Sequence, residues 1–162
     1  FLGRDGRAVV NSRIRKYPER DPAEQIEDWV AKMARAEALF SQHEGPKLRV
    51  RYEDLATNTD AVLTQICETL GLEYEPAMRD FPAVEHHVLG GNSGTQFIAA
   101  RARFDDPAEA FVSLNSRTRD YYETHSGAIE LDLRWREELS ALHRALFDRL
   151  ASEANRDFHW GE

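Results

Sequence analysis

Arg4 and Ser12, near the start of the chain, have the types and spacing to bind a phosphate. Between them lie Asp5, a good helix N-cap, and Gly6, which permits a turn, so the pattern predicts a strand that ends near Arg4 and a helix directly after it. Unpaired N–H groups and the dipole at a helix N-terminus favour an anion. With the guanidinium of Arg4 and the hydroxyl of Ser12, this turn can hold one phosphate. The alternative is an ordinary strand-to-helix turn with solvated arginines.

A second group of polar residues lies where the next predicted strand ends. Residues 48–52 partly alternate between apolar and charged side chains, which is typical of a short strand. Arg51, Glu53 and Asp54 follow one another closely at its end. We interpret them as an arginine–carboxylate pair that ties the strand to the next loop.

These motifs, taken in order, resemble the sulfotransferase family that uses 3′-phosphoadenosine-5′-phosphosulfate (PAPS). The family pattern R-D-P-R-x-x-x-x-S matches Arg4 to Ser12 except at Gly6, and the family strand ending R-Y-E-D-L matches residues 51–55. Further likenesses, spread over most of the chain, are L-G-L at 70–72, the histidine and G-N loop at 86–92, L-D-L-R-W at 131–135 and the aromatic–glycine ending at 159–161. The late R-W segment is similar to the bacterial members.

The resemblance implies roles for particular residues. Arg4 and Ser12 would hold the 3′-phosphate, and Tyr52 would lie against the adenine, which suits a side chain with an aromatic face and a polar tip. A loop containing Gly91 and Asn92 would cover the nucleotide. Many family members have an arginine shortly after this asparagine. Because residues 93–96 read S-G-T-Q here, the predicted basic contact moves to Arg101 or Arg103.

The implied activity is transfer of a sulfuryl group from PAPS, as co-substrate, to a hydroxyl or amine of a small-molecule or glycan acceptor. No phosphate-loop pattern G-x-x-x-x-G-K-[ST] occurs in the sequence. The resemblance therefore predicts the C-terminal portion of a larger sulfotransferase, which works with the upstream half of the same enzyme. No catalytic base is assigned, and Glu85, His86 and His87 are the only loop candidates. The histidines lack the acidic or cysteine partners of a metal site, so no metal is expected.

Two other functions remain open at this stage. One is a non-catalytic helical interaction module that retains the sulfotransferase fold, and binding of adenosine 3′,5′-bisphosphate would separate it from the enzyme. The other is a nucleotide kinase on a similar fold, which the lack of a phosphate-loop lysine makes the weaker choice.

Composition restricts the class of partner. The net charge of −8 argues against a general nucleic-acid surface, although local arginines can still bind an anionic nucleotide. No apolar run approaches the length of a membrane span, so no membrane partner is expected. The single cysteine, Cys67, is interpreted as a core residue and fits a reducing, cytoplasmic location. A homo-oligomer is left open.

The remaining elements are helices, identified by caps and helical spacing. Asp21-Pro22 begins one that runs to about Gln42, with Trp29 in its core. The second is expected from Asn58 or Thr59 to Leu70, directly before Gly71, and the third over residues 106–124. A short helix opens at residues 132–135, and the last helix begins after Ser140, its cap. The predicted buried stripes are Val62, Leu63, Ile66, Cys67 and Leu70 in the second, and Leu142, Leu146, Phe147 and Leu150 in the last. Residues 73–104 lack periodicity and are expected to form a loop.

Strands with helix-rich connections predict an α/β fold. Together with the resemblance, the pattern predicts the C-terminal part of a P-loop-like parallel sheet flanked by helices. Residues 1–162 are expected to form one domain.

Overall fold

The structure is a computed structural model that describes residues 1–80, 93–102, 104–105, 119, 122–123 and 129–161. These residues form two compact units, one from 1–73 and 130–162 and the other from 74–129. In the part of the chain that is described, no helix combines the length and the apolar character needed to cross a membrane.

Two short parallel strands connect the predicted motifs in the first unit. Strand β1 (Leu2–Gly3) pairs with β2 (Val50–Arg51), with Leu2 opposite Val50. The pairing extends to Phe1, whose nitrogen donates to the Leu48 carbonyl at 2.7 Å. Strand β2 is shorter than predicted, because the next residue, Tyr52, already begins a helix. The ends of both strands therefore lie side by side.

The first two helices follow the predictions closely. Helix α1 (Gly6–Lys16) begins after Asp5, and α2 (Pro22–Gln42) begins after Asp21. In each case the aspartate side chain accepts from the backbone N–H two residues later, at 2.9 Å. Helix α1 ends at Lys16, and its cap residue Tyr17 directly precedes Pro18, whose ring is incompatible with a continuing helix.

Helix α3 (Tyr52–Thr57) is an element that the sequence interpretation missed. Glu53 and Asp54 lie in its first turn, where carboxylates interact favourably with the helix dipole. Helix α4 (Thr59–Leu70) follows after Asn58, and Gly71 ends it in the left-handed region at φ 69°, as predicted.

The second unit corrects the prediction of a continuous loop over residues 73–104. It contains a 3-10 helix (Pro76–Arg79) and helix α5 (Ser93–Arg101). Of the helix predicted over 106–124, only residues 119 and 122–123 are described, and all three are helical.

The C-terminal segment returns to the first unit as helices α6 (Trp135–Glu138) and α7 (Ala141–Asn155). Ser140 caps α7 as predicted, its hydroxyl accepting from the His143 N–H at 3.2 Å. The core lies where α7 packs against α1 and α2. Its fully buried members are Val10, Ile26, Trp29, Phe147 and Ala151.

Four side chains that were predicted to be buried show how the core is filled. Trp29 and Cys67 are buried, as predicted. Leu70 and Leu142 were expected inside but are 62% and 75% exposed, because each lies at an end of its helix, beyond the packed faces.

Gly6 is required for packing rather than for a turn. It is the first residue of α1, and an added Cβ would lie 2.6 Å from the Trp29 ring and 2.7 Å from the Phe147 ring. Its N–H also donates to the side-chain oxygen of Asn155 at 2.7 Å, a bond that proline cannot make. The departure from the family pattern at Gly6 therefore accompanies a close approach of α1, α2 and α7.

Candidate functional site

Asp5 is the buried centre of the turn between β1 and α1, and its side chain is fully inaccessible to solvent. Its carboxylate accepts hydrogen bonds from the Arg7 guanidinium, from the Trp160 N–H at 2.9 Å and from the Asn155 side chain at 3.2 Å. Burial alone would raise the pKa of Asp5, but the bonds from Arg7 and Trp160 outweigh it and hold this pKa below its usual value. The turn is thereby fastened to the C-terminal segment.

The N–H groups at the start of α1 are already used by the chain itself. Asp5 N–H donates to Glu53, Gly6 N–H to Asn155, and Arg7 N–H to the Asp5 side chain. The Ala8 N–H donates to the Asp5 carbonyl at 3.1 Å. An anion at this turn must therefore be held by side chains, which corrects the sequence argument from unpaired N–H groups.

Glu53 is buried beside this turn, so it is not part of the predicted arginine–carboxylate pair. Arg51 and Asp54 do form that pair, at 2.6 Å. One oxygen of Glu53 accepts from the Asp5 N–H at 3.0 Å, whereas the other is buried and has no hydrogen-bond partner among the described residues. Burial raises the pKa of Glu53 above its usual value.

Arg4 and Tyr52, which the sequence placed at two separate strand ends, lie in contact. The Arg4 guanidinium carbon is 4.4 Å from the centre of the Tyr52 ring, within the range of a cation–π interaction. Burial raises the pKa of Tyr52, although the positive charge of Arg4 opposes this. Arg4 thus covers one face of the tyrosine ring.

The segment 130–134 closes over this pair of residues. The Tyr52 hydroxyl donates to the Glu130 carbonyl and accepts from the Asp132 N–H at 3.3 Å. Arg4 Nη2 donates to the Asp132 carbonyl at 2.8 Å and forms an ion pair with its carboxylate at 3.2 Å. The residues at the ends of strands β1 and β2 are therefore bound to a segment that is distant in the sequence.

Asp132 is itself held by Arg134, which donates through Nε and Nη2 at 2.8 Å each. These bonds, together with the charge of Arg4, hold the pKa of Asp132 well below its usual value. The sequence analysis assigned Asp132 and Arg134 only to the opening of a short helix. An aspartate and an arginine two residues apart are a local signal of an ion pair, but nothing local connects them to Arg4.

Ser12 lies apart from this cluster. It is an exposed residue of α1, six positions after Gly6 and hence about 9 Å farther along the helix axis. No hydrogen bond of its side chain to another described residue links it to Arg4. The structure therefore joins Arg4 to Tyr52 but shows no contact that includes Ser12.

The loop residues are mostly outside the described part of the chain: Glu85, His86, His87, Gly91, Asn92 and Arg103. Arg101 is the last residue of α5 in the second unit, where its guanidinium donates to the carbonyls of Tyr122 and Glu123 at 3.2 and 2.5 Å. Within the described ranges, no three histidine, cysteine or acidic side chains are grouped as metal ligands.

Residues 1–76 match the sequence model of the Sulfotransferase family. The matched range is less than half of the 162-residue chain. The matched range contains Arg4, Ser12 and Tyr52. The match supports a sulfotransferase-family assignment and, with it, sulfuryl transfer as the class of reaction. A helix-rich structure around a small parallel sheet is compatible with an α/β fold of this kind. No curated protein and no solved structure matches the chain.

Proposed function

We propose that this chain supplies the 3′-phosphate and adenine contacts of a sulfotransferase that uses PAPS. The observation that carries the proposal is the contact between Arg4 and Tyr52 at the ends of two paired parallel strands. Ligands of open parallel sheets bind at the carboxyl ends of the strands. A cation and an aromatic ring are the two groups that a phosphorylated purine nucleoside needs there.

The described contacts fit such a ligand through side chains rather than through backbone N–H groups. Arg4 uses Nη2 for Asp132, and its Nη1 makes no hydrogen bond to a described residue, so this nitrogen can donate to a phosphate. Because Arg4 covers one face of the Tyr52 ring, the adenine would lie on the other face or at its edge. Ser12 would join the phosphate only if the ligand extends along α1.

In the proposed reaction, an acceptor hydroxyl or amine attacks the sulfur of PAPS. The bond from sulfur to the phosphate oxygen breaks, and adenosine 3′,5′-bisphosphate leaves with the bonding electrons. The acceptor proton passes to a base that we do not assign to this chain. The contribution of Arg4 and Tyr52 is to bind and orient the donor, which lowers the entropic part of the barrier.

The second candidate is a non-catalytic interaction module that keeps the fold. One observation favours it: the donors at the start of α1, the Tyr52 hydroxyl and one face of its ring are all engaged within the chain. Nucleotide binding decides between the enzyme and the interaction module, because a non-catalytic module is not expected to bind a bisphosphate.

The test is a ¹H–¹⁵N NMR titration of the 162-residue chain with adenosine 3′,5′-bisphosphate. We expect saturable shifts at Arg4 and Tyr52, and weaker binding by about tenfold or more in Arg4→Ala, since hydrogen bonds to charged groups contribute about 1.5–3 kcal/mol. Arg20→Ala is the matched control, because Arg20 is an exposed arginine paired with Asp28 at 3.1 Å. Equal affinity in wild type and Arg4→Ala would reject the assignment.

A further inference from the structure

We propose that binding of a nucleotide phosphate at Arg4 is coupled to the uptake of a proton by the buried side chain of Glu53. The inference deepens the proposed nucleotide site by making its affinity depend on pH, and it rests on that proposal for the identity of the ligand. The proton comes from solvent and adds to Oε2 of Glu53, so the carboxylate becomes a neutral carboxylic acid.

Glu53 is built into the turn that carries Arg4. Only 1% of Glu53 is exposed. Its Oε1 accepts from the N–H of Asp5, the residue that follows Arg4, at 3.0 Å. The ring of Tyr52, which directly precedes Glu53, lies 4.4 Å from the Arg4 guanidinium carbon. The carboxylate is therefore held beside the cation that would bind the phosphate.

Two buried atoms of this turn are left without a partner. Neither Oε2 of Glu53 nor Nε of Arg4 has a hydrogen-bond partner among the described residues. A buried carboxylate oxygen that accepts no hydrogen bond disfavours the charged form of the acid. A proton on Oε2 removes this charge and leaves the bond from the Asp5 N–H to Oε1 intact. Glu53 can therefore change its charge without a change of position.

The charges around Glu53 are contributed by the turn and by its own end of β2 and α3. Four ionisable residues interact electrostatically with it: Arg4, Asp5, Arg51 and Tyr52. The carboxylate of Asp5 is balanced by Arg7 at 2.6 Å, and Arg51 likewise has a carboxylate partner at 2.6 Å. Burial raises the pKa of the tyrosine, which therefore stays neutral. Arg4 is the cation of this set whose charge an incoming phosphate would offset.

The direction of the coupling follows from the charge of Arg4. Burial raises the pKa of Glu53, while the bond from the Asp5 N–H and the charge of Arg4 oppose this rise. Asp132 already offsets part of the Arg4 charge at 3.2 Å, and a bound phosphate would offset more of it. The pKa of Glu53 should therefore rise further in the complex.

The sign of the pH dependence is fixed by this rise. Affinity for the phosphate should be highest at low pH, where Glu53 is neutral with or without the ligand. It should fall as the pH rises through the pKa of Glu53 in the free protein and level off above the pKa in the complex. Between these two pKa values, binding takes up a fraction of a proton.

The first experiment is isothermal titration calorimetry of wild type, Glu53→Gln and the control Glu27→Gln with adenosine 3′,5′-bisphosphate. It covers about pH 5 to about pH 8 in two buffers that differ in ionisation enthalpy, which gives the number of protons bound. Relative to Glu53→Gln, the affinity of wild type should fall by about threefold or more, the change that corresponds to half a pKa unit. Titration of the ligand's own phosphates cancels in this ratio. Glu27 is exposed on α2, and its variant should keep the wild-type profile.

The second experiment needs no variant. The titration midpoint of the Glu53 side-chain carboxyl carbon is measured by NMR in wild type alone, with the bisphosphate and with inorganic pyrophosphate. Either bound ligand should raise the midpoint. A midpoint that a bound ligand lowers or leaves unchanged overturns the coupling, even if Glu53→Gln does not fold.

The outcomes separate this inference from the proposed function. If wild type binds the bisphosphate with the same pH profile and proton uptake as Glu53→Gln, the coupling is overturned while the nucleotide site stands. If the bisphosphate does not bind but pyrophosphate raises the Glu53 midpoint, the coupling stands and the proposed function fails. Binding of neither ligand overturns both.

Discussion

Asp5 and Asp21 are both aspartates that cap a helix, but they differ in burial and in the number of groups that depend on them. Asp21 is exposed and accepts from the Ala23 N–H at 2.9 Å. Asp5 makes the equivalent bond to Arg7 and, in addition, holds a guanidinium, an asparagine and the C-terminal segment in a site without solvent. The same residue type in the same local pattern therefore contributes differently to stability: Asp21 caps a helix, whereas Asp5 caps a helix and also holds buried groups together.

We expect Asp5→Ala to lower the free energy of unfolding by about 3–5 kcal/mol, the usual cost of removing one partner of a buried ion pair. Asp21→Ala should cost only about 1 kcal/mol, the value of an exposed cap. Urea denaturation of both variants measures the difference. Similar losses in the two would show that the contacts around Asp5 add no stability beyond capping.

Glu53 gives a prediction of pH dependence. Its pKa in the folded protein lies above the ordinary value of 4.5 because of burial, so folding favours the neutral form. This contribution is fully present below pH 4.5 and is lost as the pH rises through the pKa of the folded state. Glu53→Gln keeps an oxygen for the Asp5 N–H and has no charge to bury. The variant should therefore gain stability relative to wild type between pH 4 and pH 8, which urea denaturation across this range would measure.

Glu27→Gln is the matched control for this experiment, because Glu27 is exposed on α2. Its stability relative to wild type, measured across the same pH range, is the reference for Glu53→Gln. The same pH slope in both variants would contradict the assignment of a raised pKa to Glu53.

At the scale of elements, the first turn of α3 fastens the segment 130–132. Tyr52 is its first residue, and its hydroxyl bonds to backbone groups of Glu130 and Asp132. Arg4 binds the same segment from the end of β1. The loss of one hydroxyl should therefore loosen the segment without removing the ring on which Arg4 lies.

Tyr52→Phe is predicted to speed hydrogen exchange at the Asp132 N–H, which loses its acceptor. The stability change should be about 1 kcal/mol, typical of one hydrogen bond. Exchange at Val50, whose N–H donates to the Phe1 carbonyl at 2.9 Å, should stay slow as an internal reference. The control is Tyr17→Phe, since Tyr17 is 40% exposed. An unchanged rate at Asp132 would show that another contact holds this segment.

The sequence predicted those elements whose signals are local. The caps Asp5, Asp21 and Ser140 and the terminating Gly71 lie where the pattern placed them, because each acts on backbone groups within a few residues. The predicted burial of Leu70 and Leu142 was wrong, since helical spacing does not tell where a neighbouring element ends.

Only part of the candidate site could be predicted, because sequence signals are local. Arg4 and Tyr52 belong to short motifs at strand ends, and parallel strand ends meet at one edge of a sheet. Asp132 lies 128 residues after Arg4, so no spacing rule connects the two. The buried environment of Glu53 likewise depends on the turn that packs against it, although its neighbours Arg51 and Asp54 form the expected local pair.

At the scale of the whole molecule, the first unit is built from both ends of the chain. Phe147 and Ala151 of α7 complete a core that begins with Val10 and Trp29. Phe158 packs so closely on β1 that a Cβ at Gly3 would lie 2.1 Å from its ring. The described core of this unit contains no residue from 74–129.

We therefore expect the first unit to fold without the second. Replacement of residues 74–129 by a flexible Gly–Ser linker of about 12 residues, which spans roughly 20 Å, should leave helical circular dichroism and a single cooperative urea transition. Truncation after residue 129 is the matched control, because it removes Phe147, Asn155 and Phe158 and opens the core to water. Loss of cooperativity is expected in the truncated chain alone. If the linker variant also unfolds without a transition, the contacts between the two ends of the chain are too weak to form an independent core.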